Sequence, residues 1–261
     1  MENITDKVAL VTGASRGIGA AIAKALAKEG VKVVINDKHG GEEAKKLAEE
    51  IASYGLHAPF IAQADVGYAV AVKQMFERVQ NEYGAVDLLV NNAGVMGPVG
   101  AFEKLTLEAL EDVFKTNFWG AVHTTQAALP GMKERKFGRL VYISNNLPEK
   151  PCPGIAGYTM SKAALNGLAL QVATEVGAHG ITSNTVVPGL LNTDLGRKTA
   201  EKYLSDRGAI QDQFMIPELN TPEAVADAVV TLCKSPYLTA QTMYVDNGWQ
   251  RKLILPRKQV R

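Results

Sequence analysis

The sequence predicts an α/β protein with a doubly wound parallel sheet of about seven strands and helices on both faces. Short apolar runs rich in valine and isoleucine are continuous rather than alternating, which is typical of strands buried on both faces. Longer stretches with helical patterning separate these runs, and this alternation indicates βαβ units. The 261 residues are 46% hydrophobic and show no linker or internal repeat. We therefore expect one Rossmann-type domain over residues 1–261.

The apolar runs predict strands at 8–12, 31–36, 58–63, 86–92, 139–144, 181–187 and 241–245. Helices are predicted at 17–29, 41–53, 69–83, 106–134, 158–178 and 222–233. Gly30 and Gly180 follow two of these helices, where a left-handed residue is common. The segment 192–220 interrupts the alternation after a strand, so it is predicted to be a substrate lid or an ordinary pair of surface helices. The basic end, 251–261, is predicted to be a frayed tail or a contact with a partner subunit.

Composition argues against several classes of protein. The net charge is +1 and the basic residues are dispersed, so neither nucleic acid nor a membrane surface is expected as a partner. No apolar run reaches the roughly 18 residues of a membrane span, and the N-terminus lacks a signal-peptide pattern. Cys152 and Cys233 form no CxxC motif, which suits the cytoplasm. The four histidines lack metal-ligand spacing, so no metal site is predicted.

The stretch VALVTGASRGIG leads from the first predicted strand into the first predicted helix. Glycines at such a turn let the backbone approach a pyrophosphate, and the helix N-terminus offers N–H groups to it. The spacing is G-x-x-x-G-x-G, formed by Gly13, Gly17 and Gly19. A nucleotide site is one interpretation of this pattern, and a purely structural turn is the other.

Asp37 ends the second predicted strand. A carboxylate there can accept hydrogen bonds from the adenosine ribose and repel a 2′-phosphate, which favours NAD over NADP. Arg16 and Lys38 act in the opposite direction, because both could reach a 2′-phosphate. A strand-end turn residue is the alternative for Asp37.

The stretch from Ile143 to Lys162 ends in Tyr158-x-x-x-Lys162. This spacing places both side chains on one face of a helix. A lysine charge near the phenol favours the phenolate, and a tyrosine with a lowered pKa can exchange a proton with an alcohol. The pattern alone could arise by chance, but here it follows a buried strand and a Pro/Gly loop.

Together these motifs resemble the short-chain dehydrogenase/reductase superfamily, in its branch of about 250 residues. The resemblance runs from Asp6 to about Gly248 and adds Asp65-Val66, NNAG at 91–94, Asn117 and PGLLNT at 188–193. It implies an NAD(P)-dependent oxidoreductase acting on a small alcohol or ketone, assembled as a homotetramer or homodimer. The helices at 106–134 and 158–178 would pack across the two-fold axis.

The resemblance also implies residue roles. Tyr158 would be the acid/base, Lys162 would bind the nicotinamide ribose and tune Tyr158, and Asn117 would hold a water that links Lys162 to solvent. The cofactor-binding residues would be Gly13, Ser15, Arg16, Gly17, Ile18, Gly19, Asp37, Asp65, Val66, Asn92, Ala93, Gly94, Tyr158, Lys162, Pro188, Gly189, Leu191 and Thr193.

The sequence departs from the family pattern at three positions. Asn145 stands where the family has its substrate-holding serine, with Ser144 and Asn146 beside it. Because an amide has donors and an acceptor, we expect Asn145 to hold the substrate oxygen, with transfer of the role to Ser144 or its loss as alternatives. Near the C-terminus, Ala240 and Asn247 replace glycines of the family pattern.

The substrate pocket is expected to be mainly apolar and to accept a mid-sized secondary alcohol or ketone. Lid-to-body packing is the alternative for each of its expected lining residues. These are Val95, Met96, Pro98, Leu147, Leu195, Leu204, Phe214 and Met215, with Arg197, Lys198 and Arg207 as possible contacts to an acidic group. Two other functions stay open: an NADP(H)-dependent carbonyl reductase, and a non-catalytic nucleotide-binding sensor or scaffold.

Overall fold

The computed structural model describes residues 1–191 and 214–251. Its strands form one seven-stranded sheet in the order β3-β2-β1-β4-β5-β6-β7, with parallel pairing throughout. The strands are β1 (Val8–Val11), β2 (Lys32–Asp37), β3 (Phe60–Gln63), β4 (Leu88–Asn91), β5 (Gly138–Ile143), β6 (Ile181–Pro188) and β7 (Thr242–Val245). The predicted doubly wound parallel sheet is confirmed.

Helices connect the strands and cover both faces of the sheet. They are α1 (Gly17–Lys28), α2 (Glu42–Ala52), α3 (Ala69–Glu82), α4 (Leu107–Phe114), α5 (Gly120–Arg135), α6 (Ala156–Val176) and α7 (Pro222–Cys233). Thr106 and Thr221 cap α4 and α7, because each hydroxyl accepts a hydrogen bond from the backbone N–H three residues on. Gly30 and Gly180 have φ of 77° and 70°, so the predicted left-handed ends are confirmed.

Two apolar cores lie on opposite faces of the sheet. One holds buried residues of α1, α2 and α7, such as Ile22, Ile51 and Val229. The other holds buried residues of α3, α5 and α6, such as Met75 and Leu165. Burial on both faces explains why the strands read as continuous apolar runs.

One predicted helix differs in detail. The stretch predicted as a single helix at 106–134 consists of α4, a π-helical turn at Lys115–Trp119, and α5. The wider i→i+5 turn inserts one extra residue and reorients the side chains around Asn117. The sequence pattern contains no signal for it.

Much of the predicted lid, 192–213, and the tail beyond Arg251 lie outside the described residues. No helix in the described ranges is long and apolar enough to cross a membrane. Within those same ranges, no group of three or more His, Cys, Asp or Glu side chains could hold a metal ion.

Candidate active site

The candidate site lies at the carboxyl ends of the parallel strands. β1 is flanked by β2 and β4, so the chain crosses from one half of the sheet to the other at β1 and β4. The loops that follow these two strands diverge there and leave a crevice, the usual ligand position in such sheets. The residues predicted to bind the nucleotide lie at the carboxyl ends of β1 to β6 or in the segments that follow them.

The glycine loop joins β1 to α1 and is shaped by two different constraints. A Cβ on Gly19 would lie 2.4 Å from the Gly13 carbonyl oxygen, so a side chain there cannot be accommodated. Gly17 has φ of +57° and nothing within 4 Å of the position a Cβ would take. The Arg16 side chain makes no capping hydrogen bond at the start of α1. The loop therefore packs closely against the protein at Gly19 and leaves free space at Gly17, in front of the helix N-terminus, as a pyrophosphate requires.

The loop after β4 supports the glycine loop. The Asn92 side-chain Nδ2 donates to the carbonyls of Thr12 and Gly13 at 2.9 and 3.0 Å. The Thr12 hydroxyl accepts from the backbone N–H groups of Asn92 and Ala93 at 2.9 and 3.0 Å. These bonds fix the ends of β1 and β4 relative to each other.

Asp37 closes β2 with its carboxylate held on both oxygens. Oδ2 accepts from the Ser15 hydroxyl at 2.7 Å, and Oδ1 accepts from the N–H groups of His39 and Gly40 at 2.8 and 2.7 Å. Partial burial acts to raise the pKa of Asp37, but these hydrogen bonds outweigh it and the pKa lies below its usual value. Asp37 is thus a fixed negative charge next to the glycine loop.

Asp65 and Val66 follow β3. Asp65 Oδ2 lies 2.9 Å from Lys38 Nζ, and its Oδ1 accepts from the Gly67 N–H at 3.0 Å. Partial burial acts to raise the pKa of Asp65, but Lys38 and the Gly67 N–H outweigh it and hold the pKa below its usual value. The Val66 carbonyl contacts the His123 ring Nδ1 at 3.0 Å, which ties this loop to α5.

Tyr158 and Lys162 lie one turn apart near the start of α6. Lys162 is buried, and its Nζ donates to the Ile143 carbonyl at the end of β5 at 2.7 Å. The same ammonium lies 5.7 Å from the centre of the Tyr158 ring. Tyr158 is partly exposed, so it is the member of the pair that a substrate can reach.

Burial dominates the acidities of this pair. It raises the pKa of Tyr158 to about 12 and lowers the pKa of Lys162 to about 8. We expected a lowered tyrosine pKa from the lysine charge, and this is not what the protein alone shows. The reason is that burial disfavours the charged form of each group, so at neutral pH the phenol is uncharged and the Lys162 ammonium holds its proton less tightly than usual.

Asn117 sits in the π-helical turn and is buried. Its amide exchanges two hydrogen bonds with the Val95 backbone, at 2.8 and 2.9 Å, and donates a third to the Ser161 hydroxyl at 2.9 Å. Ser161 in turn donates to the Tyr158 carbonyl at 2.8 Å. A Cβ on Gly94 would lie 3.4 Å from Asn117 Oδ1 and 3.5 Å from Lys162 Nζ, so Asn117, Lys162 and Gly94 meet at one point.

Ser161 is a site residue that the sequence interpretation missed. It precedes Lys162 directly, so its position inside the Tyr158-x-x-x-Lys162 motif was the available signal. Without the π-helical turn, however, nothing in the sequence pairs it with Asn117.

Asn145 and Ser144 point in different directions at the end of β5. The Ser144 hydroxyl is buried and donates to the Lys162 carbonyl at 3.3 Å. Asn145 is partly exposed, and its Oδ1 accepts from the Leu147 N–H at 2.9 Å. Within the described part of the chain, the Asn145 Nδ2 has no hydrogen-bond partner, so two N–H donors are available at this position.

The end of β6 contributes the remaining predicted residues. Pro188 is the last residue of β6, the Gly189 N–H donates to the Val245 carbonyl at 2.8 Å, and Leu191 forms an isolated bridge with Asn220. Thr193 was predicted for the same site but lies outside the described residues, as do Leu195, Arg197, Lys198, Leu204 and Arg207.

The loop after β5 is tied to the C-terminal segment. The Glu149 carboxylate accepts from the Tyr244 hydroxyl and the Gln250 amide, and Lys150 Nζ donates to the Trp249 carbonyl. Phe214 is buried with its ring 5.8 Å from Trp249, whereas Met215 is exposed. Of these two predicted pocket residues, Phe214 therefore packs against the body, as in the alternative interpretation.

The two replaced glycines keep a left-handed backbone. Ala240 and Asn247 have φ of 57° and 54°. Asparagine tolerates this conformation, and its side chain donates to the Glu218 carbonyl at 2.7 Å. Alanine has no such compensation, so Ala240 is a strained position.

Comparison with known proteins extends these findings. The family model described as short chain dehydrogenase matches residues 7–204. The chain is 34% identical over 244 residues to the 3-oxoacyl-(acyl-carrier-protein) reductase FabG of Staphylococcus aureus, covering 93% of this chain and 97% of that protein. It is 38% identical over 244 residues to the acetoacetyl-CoA reductase of Rhizobium meliloti, covering 93% of this chain and 98% of that one.

Among solved structures, a short-chain dehydrogenase/reductase of Serratia marcescens superposes with a TM-score of 0.86 at 32% identity, covering 95% of this chain and 100% of that one. Family model, relatives and fold agree with the motifs quoted above. The chain belongs to the short chain dehydrogenase family and is an oxidoreductase, and this membership supports an NAD(P)-dependent enzyme.

Proposed function

We propose that this protein interconverts a secondary alcohol and a ketone, using NAD(H) in preference to NADP(H). The observation that carries the proposal is the convergence of Asn117, Tyr158 and Lys162 beside Asn145 at the end of β5. Asn117 donates a hydrogen bond to the Ser161 hydroxyl, and Ser161 donates one to the Tyr158 carbonyl. Lys162 donates one to the carbonyl at the end of β5. A reaction that moves one proton at a substrate oxygen needs such an arrangement.

The nucleotide site fits a dinucleotide on its own geometry. The open face at Gly17 and the uncapped start of α1 would take the pyrophosphate, and Asp37 would take the adenosine ribose. Asp65, Val66, Asn92, Ala93, Gly94, Pro188, Gly189 and Leu191 would complete the site. When bound, the nicotinamide dinucleotide would supply or accept the hydride.

Tyr158 would transfer the proton at the substrate oxygen. In ketone reduction it would donate its phenolic proton, and its high pKa keeps that proton in place at neutral pH. In alcohol oxidation it must first be deprotonated, and the nearby Lys162 ammonium would stabilise the phenolate. After ketone reduction the Tyr158 phenolate would regain a proton from the Lys162 ammonium, and Lys162 would be reprotonated from solvent through a water held at Asn117; before alcohol oxidation the same route would carry the Tyr158 proton out.

Asn145 would hold the substrate oxygen with its unpartnered Nδ2. The Asn145 Oδ1 is already held by the Leu147 N–H, so the amide plane is oriented and the N–H donors are fixed. Donors aimed at an oxygen that gains negative charge typically contribute 10²–10³ in rate, by general experience with such groups, or about 3–4 kcal/mol. Ser144 is engaged with the α6 backbone and is less suited to this role.

The preference for NAD(H) rests on Asp37. Its carboxylate accepts hydrogen bonds on both oxygens, so it cannot easily turn away from a 2′-phosphate. The ribose 2′- and 3′-hydroxyls could donate to its remaining lone pairs. Arg16 and Lys38 remain the groups that could oppose this preference.

The substrate is proposed to be a ketone or alcohol of moderate size. The names of the two curated relatives specify 3-oxoacyl and acetoacetyl substrates, and both contain a ketone. This supports ketone reduction as one direction of the reaction. A carbonyl reductase using NADP(H) is the second candidate, because the names of those relatives describe reductases and Lys38 could meet a 2′-phosphate.

The assembly proposed is a homotetramer or homodimer in the cytoplasm. Trp119 and Leu170 are about half exposed on the π-helical turn and α6, where burial in a subunit interface would remove apolar surface from water. The unpaired Cys152 and Cys233 fit a reducing compartment.

The test is a panel of secondary alcohols and 3-oxo compounds assayed with NAD(H) and NADP(H). We expect turnover with at least one substrate, a 10²–10³-fold loss of kcat in Asn145→Ala, and a loss of only a few-fold in Ser144→Ala. Asn145→Ser should keep measurable activity. Nucleotide binding without turnover across the whole panel would instead support the non-catalytic sensor, and a damaging Ser144→Ala with a mild Asn145→Ala would transfer the role to the serine.

A further inference from the structure

An ion pair joins the ends of β2 and β3 beside the proposed adenosine site. Lys38 follows Asp37 directly, and its Nζ lies 2.9 Å from Asp65 Oδ2. The two strands are in register with Asp37 opposite Gln63, so Lys38 and Asp65 stand just past the paired ends. The Lys38 side chain is 61% exposed and that of Asp65 is 22% exposed, so the lysine is the more mobile partner.

The neighbouring carboxylate of Asp37 is held separately. Its donors include Ser15, His39 and Gly40, and within the described ranges Lys38 makes no hydrogen bond to it. Asp65 also accepts from the Gly67 N–H, which fixes its position independently of the lysine. Asp65 is therefore an anchored carboxylate that draws the Lys38 ammonium toward β3.

We propose that Asp65 sets the nucleotide preference by holding Lys38 on the β3 side of the site, away from the ribose 2′ position. The inference rests on the proposed function, because it assumes that Asp37 faces the adenosine ribose. Asp37, Lys38 and Asp65 together carry one net negative charge beside the place where a 2′-phosphate would lie, and the Lys115 ammonium also acts on Asp65. Neutralising Asp65 removes that net charge and releases an ammonium with three N–H donors.

The expected effect is moderate in size. Exposed ion pairs are weak, so Asp65 restrains Lys38 without immobilising it. A released lysine that binds a phosphate as a point charge changes relative affinity by about five- to tenfold. Asparagine keeps the carbonyl that accepts from the Gly67 N–H, so Asp65→Asn should preserve the local turn.

The experiment measures the dissociation constants of NADH and NADPH by fluorescence titration in four proteins: wild type, Asp65→Asn, Lys38→Gln and the double variant. The quantity compared is the ratio of the two constants. Because both nucleotides carry the same adenine, any effect of the Asp65 substitution on adenine binding cancels in that ratio. Glu42→Gln is the matched control, since it neutralises the carboxylate of another exposed pair, 2.7 Å from Lys45 Nζ on α2.

We expect Asp65→Asn to shift the ratio toward NADPH by about five- to tenfold. Lys38→Gln alone should change it by less than about twofold, because Lys38 is already engaged in the wild type. The double variant should return to the ratio of Lys38→Gln, and Glu42→Gln should match the wild type.

Three results would overturn the inference: an unchanged ratio in Asp65→Asn, a shift that persists in the double variant, or a large loss of NADPH affinity in Lys38→Gln alone. The wild-type ratio tests the proposed NAD(H) preference separately. A wild type that prefers NADPH would refute the proposed NAD(H) preference. The comparison of the four ratios would still decide whether the effect of Asp65→Asn depends on Lys38.

Discussion

Lys162→Met should stabilise the fold relative to the wild type in a way that depends on pH. Lys162 is 3% exposed, and burial lowers its pKa from the usual 10.5 to about 8. One pKa unit corresponds to about 1.4 kcal/mol, so holding the charged lysine in the folded protein costs about 3 kcal/mol. Methionine has a similar length and no charge, so it removes this cost.

The sign follows from where the proton is bound. Below pH 8 both folded and unfolded wild type carry the charged lysine, and the folded state bears the full cost. Between pH 8 and 10.5 the folded state releases the proton while the unfolded state retains it, so the stability of the wild type rises relative to the variant. The advantage of Lys162→Met should therefore shrink by about 2 kcal/mol between pH 7 and pH 10.

Urea unfolding of both proteins between pH 7 and pH 10 measures this difference directly. The variant also loses the donor to the Ile143 carbonyl, but that loss contributes a constant offset and does not change the slope with pH. Lys73→Met is the control, because the Lys73 side chain is 80% exposed and removing it should change little. Parallel curves for wild type and Lys162→Met would refute the argument.

Three further outcomes are expected. The kcat/KM of the wild type should be at least about tenfold higher with NAD than with NADP, and Asp37→Ala should reduce this ratio. An equal or reversed ratio in the wild type would contradict the role of Asp37. Tyr158→Phe should lower turnover by about 10²-fold or more while NAD affinity stays within a few-fold, and near-normal turnover would show that Tyr158 is not the acid/base. Ala240→Gly should stabilise the protein by up to about 1 kcal/mol, because it relieves a left-handed alanine on an exposed loop. Ala101→Gly is the control and should destabilise the protein, because Ala101 is another exposed alanine but has an ordinary φ of −61°. Thermal unfolding compares the two variants, and equal effects would show that Ala240 is unstrained.

The fold could be predicted from the sequence because each βα unit carries its own local signals. Continuous apolar runs, helical stretches and the glycines after α1 and α6 indicated the elements, with boundaries that differ from the observed ones by a few residues. The family resemblance was confirmed by the comparisons. The position of Asn117 was also predictable, but the π-helical turn that orients it was not, since i→i+5 bonding leaves no mark in the hydrophobic pattern.

The sequence could predict which residues belong to the site, but not the contacts between them or their burial. The sequence placed Lys38 after Asp37 and suggested that it could reach a 2′-phosphate, yet its pairing with Asp65 depends on how β2 and β3 align. The acidities of Tyr158 and Lys162 likewise depend on burial, which the Tyr-x-x-x-Lys spacing does not specify. The alternation expected at a strand end predicted different surroundings for Ser144 and Asn145, and the two side chains do have different hydrogen-bond partners.

The cost of Lys162 bears on whether the site is catalytic. The hydrogen bond to the Ile143 carbonyl offsets only part of the cost of burying the Lys162 charge, and an apolar residue would pack at the same place without that cost. The neighbouring Asn117 has its hydrogen bonds satisfied, so it does not need Lys162 to be stable. A scaffold that only bound a nucleotide could still use Lys162 at the nicotinamide ribose, so NADH affinity has to be measured together with turnover. If Lys162→Met is more stable at pH 7 and loses more turnover than its change in NADH affinity explains, the wild-type residue is explained by catalysis rather than by folding or by nucleotide binding alone.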